Sequence, residues 1–390
     1  MLVSYLYCLP YVLAFIILFT ICIREINIKN NREANNIKIR FACCSFYLFF
    51  IGLRGFIHTD WIEYYPFFED LPTLWNLQDF YWEDFLMEPG FIIYSLIIKS
   101  IFPSYYVWVF ISTLIDIIII DSLLKKNIRY YALGFLFFYS FYTMYEINLL
   151  RNNKSIMLFF LSINYVKNND FKRYLILNFI GFLFHTSALV YILIYPLLKI
   201  RIPKFLLYGL FVVGMILYLG HIAWIGDILI LLGEKSGLNR AYVLIRYVEN
   251  SGAENISIGF FERIFTYLFF LYHRDKIWSY SRYSAIVYNC YVLYFISSFY
   301  LSEIGVLTDR ISTLFILSYC FIYPVIFERV KKNKSLFLLC IFSYMLAKEI
   351  QGHREILTRY SNVIFGVESY EKRFNEAVKS KPYLEERYIK

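Results

Sequence analysis

The sequence predicts an all-α, polytopic integral membrane protein of roughly 10–12 transmembrane helices, and three observations predict it. Of its 390 residues 59% are hydrophobic, and the mean hydropathy is +0.52. A soluble domain seldom passes about half apolar. Apolar runs near the length of one crossing recur, as in Leu2–Ile23, Tyr105–Leu124 and Ile304–Phe327. A hydrocarbon core of ~30 Å takes about 20 such residues per helix. The gaps between runs are mostly rich in Lys and Arg, whereas the stretch from Arg54 to Glu88 carries one basic and eight acidic residues. Helices fit because lipid offers backbone groups no partner, and the runs lack the polar–apolar alternation of a membrane barrel.

The first run, Leu2–Ile23, has no basic leader and no small-residue cleavage site, so it reads as a span and not as a signal peptide. The gap Arg24–Arg40 holds five Lys/Arg and is assigned to the cytoplasm, which places the N-terminus outside. Phe41–Leu53 then delivers a large acidic, aromatic loop, residues 54–89, to the outer side. Gly90–Phe102 is short and ends at Pro103. With Tyr105–Leu124 it must make an odd number of crossings, as a half-helix or as the first part of one broken helix. Basic gaps at Lys125–Arg129, Lys167–Arg173, Lys199–Lys204, His273–Arg282 and Arg329–Lys334 read as cytoplasmic.

Tyr174–Leu198 starts and ends at basic gaps, and its 25 residues are long for one crossing and short for two. A re-entrant pair turning at Phe184-His185-Thr186-Ser187 satisfies both counts; a single tilted helix is the alternative. A second outer loop covers 224–257. Residues 1–350 form one membrane domain. Residues 351–390 form a polar tail, amphipathic or partly disordered; alternation sets it outside, and its Lys and Arg argue for inside.

Several function classes are disfavoured. The net charge of +9 is spread through short loops, where it sets topology, so no nucleic-acid partner is expected. The seven cysteines all fall in apolar segments without metal-site spacing. Walker A, GxGxxG, HExxH, CxxC and DxD motifs are absent, as is a long cytoplasmic domain. No metal and no cofactor is therefore expected.

Chemistry-bearing residues gather in five places. Arg54 ends a span and is followed by Asp60, Trp61, Glu63, Tyr64 and Tyr65. An Arg fork grips phosphate, a carboxylate serves as general base, and aromatic rings stack on sugars; an ordinary interfacial belt reads the same way. Glu88 precedes Pro89-Gly90, where a carboxylate at a helix start also serves simply as a favourable charge. Arg151 and Lys154 are cations on the side that disfavours them, which points to function. His185, beside Thr186 and Ser187, is titratable within an apolar stretch; it is either a satisfied core histidine or a base. Asp309-Arg310 lies near the outer end of a run, as a site pair or an internal ion pair, and Arg240 and Arg246 add two more outer cations. Asp116 and Asp121 are the main charges inside runs, with no Lys/Arg partner evident in sequence.

In this order the clusters resemble the EpsG family of bacterial exopolysaccharide proteins, which is similar to Wzy-type repeat-unit polymerases. The family pattern of an Arg at a span end, then Gly-Thr-Asp and a Tyr, appears as Arg54, His58-Thr59-Asp60 and Tyr64, with His58 in place of Gly. Glu88-Pro89-Gly90-Phe91 and Phe184-His185-Thr186-Ser187-Ala188-Leu189 match closely, and the family's Arg-Gln appears as Arg151-Asn152. The resemblance covers about residues 40–330.

It implies polymerisation of undecaprenyl-diphosphate-linked oligosaccharides into capsule, O-antigen or exopolysaccharide at the outer face of the plasma membrane. Arg54, Arg151 and Arg310 would hold the diphosphate, with Tyr64, Trp61, Asp309 and Ser187 around the substrate. Asp60 or His185 would take the acceptor proton, with Glu88 third. A chain-length regulator and other assembly proteins are the implied partners besides the lipid bilayer. A flippase for the same lipid-linked sugars, or an acyltransferase decorating the polymer, are the alternatives.

Overall fold

A computed structural model describes residues 3–28, 32–78, 81, 87–226, 228–231, 252–330, 332–382 and 384. Among them the fold is helical, with two isolated β-bridges, Val3 to Glu355 and Arg54 to Asn362. The all-α membrane fold expected from the sequence is what forms.

Three helices are long and apolar enough to cross a bilayer alone: α1 (Leu9–Asn27), α5 (Tyr105–Asn127) and α16 (Lys334–Gly352). A bent pair, Gly305–Thr313 (α14) with Ile316–Arg329 (whose α-helical part is α15, Tyr319–Arg329), is long and apolar enough only when its halves are taken together, with 46° between them. The other helices are shorter, interrupted or less apolar over a full window, so a count by length and hydropathy of single helices falls below the ten to twelve expected from the sequence. One of them, α6 (Tyr131–Asn148), is apolar on all sides and lies buried between α1 and α15.

The basic gaps meet at one end of the bundle. Glu25, at the end of α1, accepts the Tyr131 and Ala132 N–H groups that open α6, at 2.8 and 2.9 Å. Arg129 pairs with Glu328 at 3.2 Å, and Lys204 with Asp275 at 2.6 Å. Arg282 donates to Asn169 at 2.8 Å. The opposite end carries the acidic loop and the described parts of both chain termini. Ser4 N–H donates to Arg354 O at 2.8 Å, Gly55 N–H to Ser361 O at 2.9 Å and His58 N–H to Leu357 O at 2.7 Å. The segment after Lys348 thus packs against the acidic-loop end of the bundle. Its last helix, α17 (Tyr370–Ser380), is ordered: Arg373 donates to Phe56 O, Ile356 O and Leu357 O at 3.1, 2.8 and 3.0 Å.

Two broken regions resolve. Helix α4 (Pro89–Ile101) begins against the end of the helix Phe171–Phe184, where Gly90 packs on Leu183, and ends at the acidic loop, where Lys99 donates to Phe68 O and Glu69 O, the C-terminus of α3 (Trp61–Asp70), at 2.7 Å each. Pro103 then breaks the chain, and α5 alone runs to the basic end. Helices α7 (Leu150–Lys167) and α8 (Phe171–Phe184) form an antiparallel hairpin. The chain reverses at His185 through a 3-10 turn, Thr186–Ala188, into α9 (Leu189–Ile194). Tyr174, near the start of α8, packs its ring at a tilt against Tyr195, centroids 4.8 Å apart, and donates to Tyr191 O, so the returning chain lies back along α8. The turn falls at the four residues the sequence singles out.

Both intramembrane aspartates have cationic partners, which corrects the sequence reading. Arg40 meets Asp121 at 2.6 Å, and Lys154 pairs with Asp116 in an ion pair with both side chains buried. Arg40 and Lys154 come from other helices, so sequence spacing does not reveal them; Lys125, 3.9 Å from Asp121 one turn on, is the partner that spacing does offer.

Candidate active site

A cavity of about 470 Å³ opens at the acidic-loop end. Its wall is built by the start of α3, the start of α7, the turn after α8, and α14, with Leu384 of the tail. Of the residues singled out from sequence, Asp60, Tyr64, Arg151, His185, Ser187 and Arg310 line it.

Helix α7 supplies its chemistry in one turn. Arg151, Asn152, Asn153 and Lys154 are consecutive, so each is rotated by about 100° from the last and faces a different neighbour. Two cations in the first turn oppose the helix dipole and require partners. Arg151 Nη1 donates to Glu88 Oε2 at 2.6 Å and Nε to the Tyr64 hydroxyl at 3.4 Å. These bonds use part of its donor fork and aim the rest at the cavity. Lys154 turns inward to Asp116 and to Ser112 O, at 2.8 Å for the latter. Asn153 bridges Asp116 and Glu146 within the same buried network. Lys154 is therefore an internal counter-ion, and of the two cations only Arg151 reaches the cavity.

Asn152 faces the turn. Ser187 Oγ donates to Asn152 Oδ1 at 2.7 Å, and His185 Nδ1 lies 2.8 Å from Ser187 Oγ. Ser187 N–H also donates to His185 Nδ1, at 3.2 Å, so both contacts hold the ring by that nitrogen, and the tautomer decides the direction of the Nδ1–Oγ contact. The turn stands outside its flanking helices. Burial holds the imidazole at about 4, below its ordinary 6.5; Glu88 pulls it up, while Arg151 and Arg310 push it down.

Glu88 stands behind Arg151, and its other oxygen accepts from Thr186 N–H at 3.4 Å. It orients the cation and the turn together, so a role as third proton acceptor gives way to one of positioning. Three expected site residues lie elsewhere. Arg54 is 4% exposed and bonded to protein: Nη1 donates to Ile51 O at 3.0 Å and Thr113 Oγ1 at 2.9 Å, Nη2 to Glu146 O at 3.2 Å. It ties the loop to α5 and α6 and does not reach the cavity. Trp61 is buried, its Nε1 donating to His58 O at 2.9 Å and its ring on Phe56 and Tyr370. Asp309 is not among the residues that line the cavity, although its neighbour Arg310 is. Arg240 and Arg246 fall outside the described residues.

His58 adopts φ +68°, the left-handed region that glycine favours. The backbone thus keeps the turn of the family pattern at a cost of about 1–2 kcal/mol for a side chain there. Sequence reasoning missed Thr59, Leu307, Ile311 and Leu384 as wall residues. Thr59 flanks the chosen Asp60; Leu384 carries no local signal. Among the described residues no group of three or more His, Cys, Asp or Glu side chains is placed to hold a metal.

The family model described as the EpsG family matches residues 37–360. No curated protein and no solved structure matches.

Proposed function

This chain belongs to the EpsG family, with a role in exopolysaccharide biosynthesis, and on that premise we propose that it joins lipid-linked oligosaccharide repeat units. The donor is a glycan on undecaprenyl diphosphate; the acceptor is a hydroxyl at the non-reducing end of a second lipid-linked unit. The cavity faces the outside of the plasma membrane, in keeping with the basic gaps gathered at the other end.

The acceptor oxygen attacks the anomeric carbon, the bond from that carbon to the diphosphate oxygen breaks, and the diphosphate leaves with the electron pair. Arg151 and Arg310 stabilise that developing charge. His185 takes the acceptor proton, its ring held by Ser187, which Asn152 holds in turn. Burial is the main cause of the low His185 pKa; a bound diphosphate offsets the smaller push from Arg151 and Arg310 and so moves it upward. Asp60, on the same wall as Tyr64, is placed to hydrogen-bond sugar hydroxyls.

One observation carries the reading: two arginines and a histidine held by Ser187 line a single cavity at the end away from the basic gaps. A deletion strain is complemented with the wild-type and the Arg151→Ala chains, and lipid-linked glycans are sized by mass spectrometry. Single units outside the membrane in both the deletion and the Arg151→Ala strain are expected. Single units trapped inside would indicate a flippase, and full-length polymer in the deletion strain would end the proposal.

A further inference from the structure

A second cavity, of about 740 Å³, lies far from the first, between α11 (Ile258–Tyr272) and α16. Its walls are apolar and aromatic, with Phe265, Phe269, Phe337 and Ile341 along its length. It reaches from Glu262 to His273 along α11, a length of roughly 16 Å at 1.5 Å per residue. Its rim faces outward from the bundle: Phe265 is 69% and Tyr272 79% exposed. In a membrane that rim meets lipid.

The mouth differs from the walls. Lys276, Lys332 and His273 stand there, at the end where the basic gaps gather. His273 is 6% exposed, and its Nδ1 is buried without a hydrogen-bond partner. A buried polar atom is rarely left unsatisfied, so an orphan lining a cavity marks a place for a ligand atom. An apolar slot open to lipid, capped by two ammonium groups and an unsatisfied imidazole, matches one molecule end to end. Its chain fills the slot and its anionic headgroup meets the cations.

We infer that this groove binds an anionic phospholipid from the leaflet at the basic end of the bundle, with its phosphate at Lys276, Lys332 and His273. The site is separate from the catalytic cavity and does not depend on the reaction assigned there. A zwitterionic lipid would fit the slot as well but would gain nothing from two lysines. Each basic residue beside an anionic headgroup contributes about fivefold in affinity, so losing both costs roughly 25-fold.

The full chain is purified in detergent and titrated with phosphatidylglycerol or phosphatidylcholine, and bound lipid is counted by native mass spectrometry. Cys340 lines the groove and is exposed, so its labelling by a maleimide reports occupancy directly. Phosphatidylglycerol should bind more tightly and slow Cys340 labelling. Lys276→Gln/Lys332→Gln should remove that preference while leaving the melting temperature of the lipid-free protein unchanged. The variant Leu336→Trp, which fills the groove from its rim, should block both lipids. Equal binding of the two lipids, a preference that survives in the double variant, or retention of a polyprenyl phosphate in place of phospholipid would each overturn the inference.

Discussion

Glu88→Ala separates a positioning role from a chemical one. The carboxylate lies 2.6 Å from Arg151, with side chains 21% and 15% exposed, so solvent screens the pair only in part. A charge-assisted hydrogen bond in such a place contributes about 1.5–3 kcal/mol. With the exposure discounted, ~2 kcal/mol of Arg151 alignment is at stake, or roughly 30-fold in rate. Arg151→Ala removes the cation itself and should cost on the order of 10²–10³-fold. If Glu88 acts only through Arg151, the double variant Glu88→Ala/Arg151→Ala is no slower than Arg151→Ala. Membranes carrying each variant are supplied with lipid-linked repeat units, and initial rates of chain extension give the cycle. A coupling energy near 2 kcal/mol is expected. Additive losses, with the double variant about 30-fold slower than Arg151→Ala, would refute the positioning argument and restore Glu88 as an independent proton carrier.

Four further outcomes follow from the same geometry. His185→Gln should lower the rate on the order of 10²–10⁴-fold; the wild-type pH–rate profile should stay flat near neutrality and fall toward pH 4, where the free-enzyme imidazole protonates, and the variant should lack that limb. Lys154→Met strands the buried Asp116 charge and should cost about 3–5 kcal/mol in a melting experiment, whereas Lys154→Met/Asp116→Leu should recover much of it. Gly90→Ala would set its Cβ 2.7 Å from Leu183 O, so α4 and α8 must part at about 1–3 kcal/mol, seen as a lower melting temperature. Arg373→Ala removes three hydrogen bonds to buried carbonyls, and limited proteolysis of the segment after Lys348 should accelerate on the intact, membrane-inserted chain.

The end of the bundle that holds the cavity was legible in the sequence because charge asymmetry reports it directly. Asp60, Tyr64, Arg151, His185 and Arg310 were legible too, since polar groups in apolar runs are costly and stand out. The turn at His185 followed from a length too great for one crossing and too small for two. What hid was pairing at a distance. Arg54 looked like a phosphate grip because its partners, Thr113 and the carbonyl of Glu146, lie on other helices. Asp116 looked unpaired for the same reason. Lys154 shares a helical turn with Arg151 yet faces another neighbour, and linear spacing does not show which face meets which.

Residues 353–384 leave the ribosome after every helix of the bundle, yet Leu384 completes the cavity wall and Arg373 clamps the acidic loop. The pocket is therefore assembled from the two ends of the chain: its wall is whole only when the tail, the last part to be synthesised, has folded back against the loop made among the first residues.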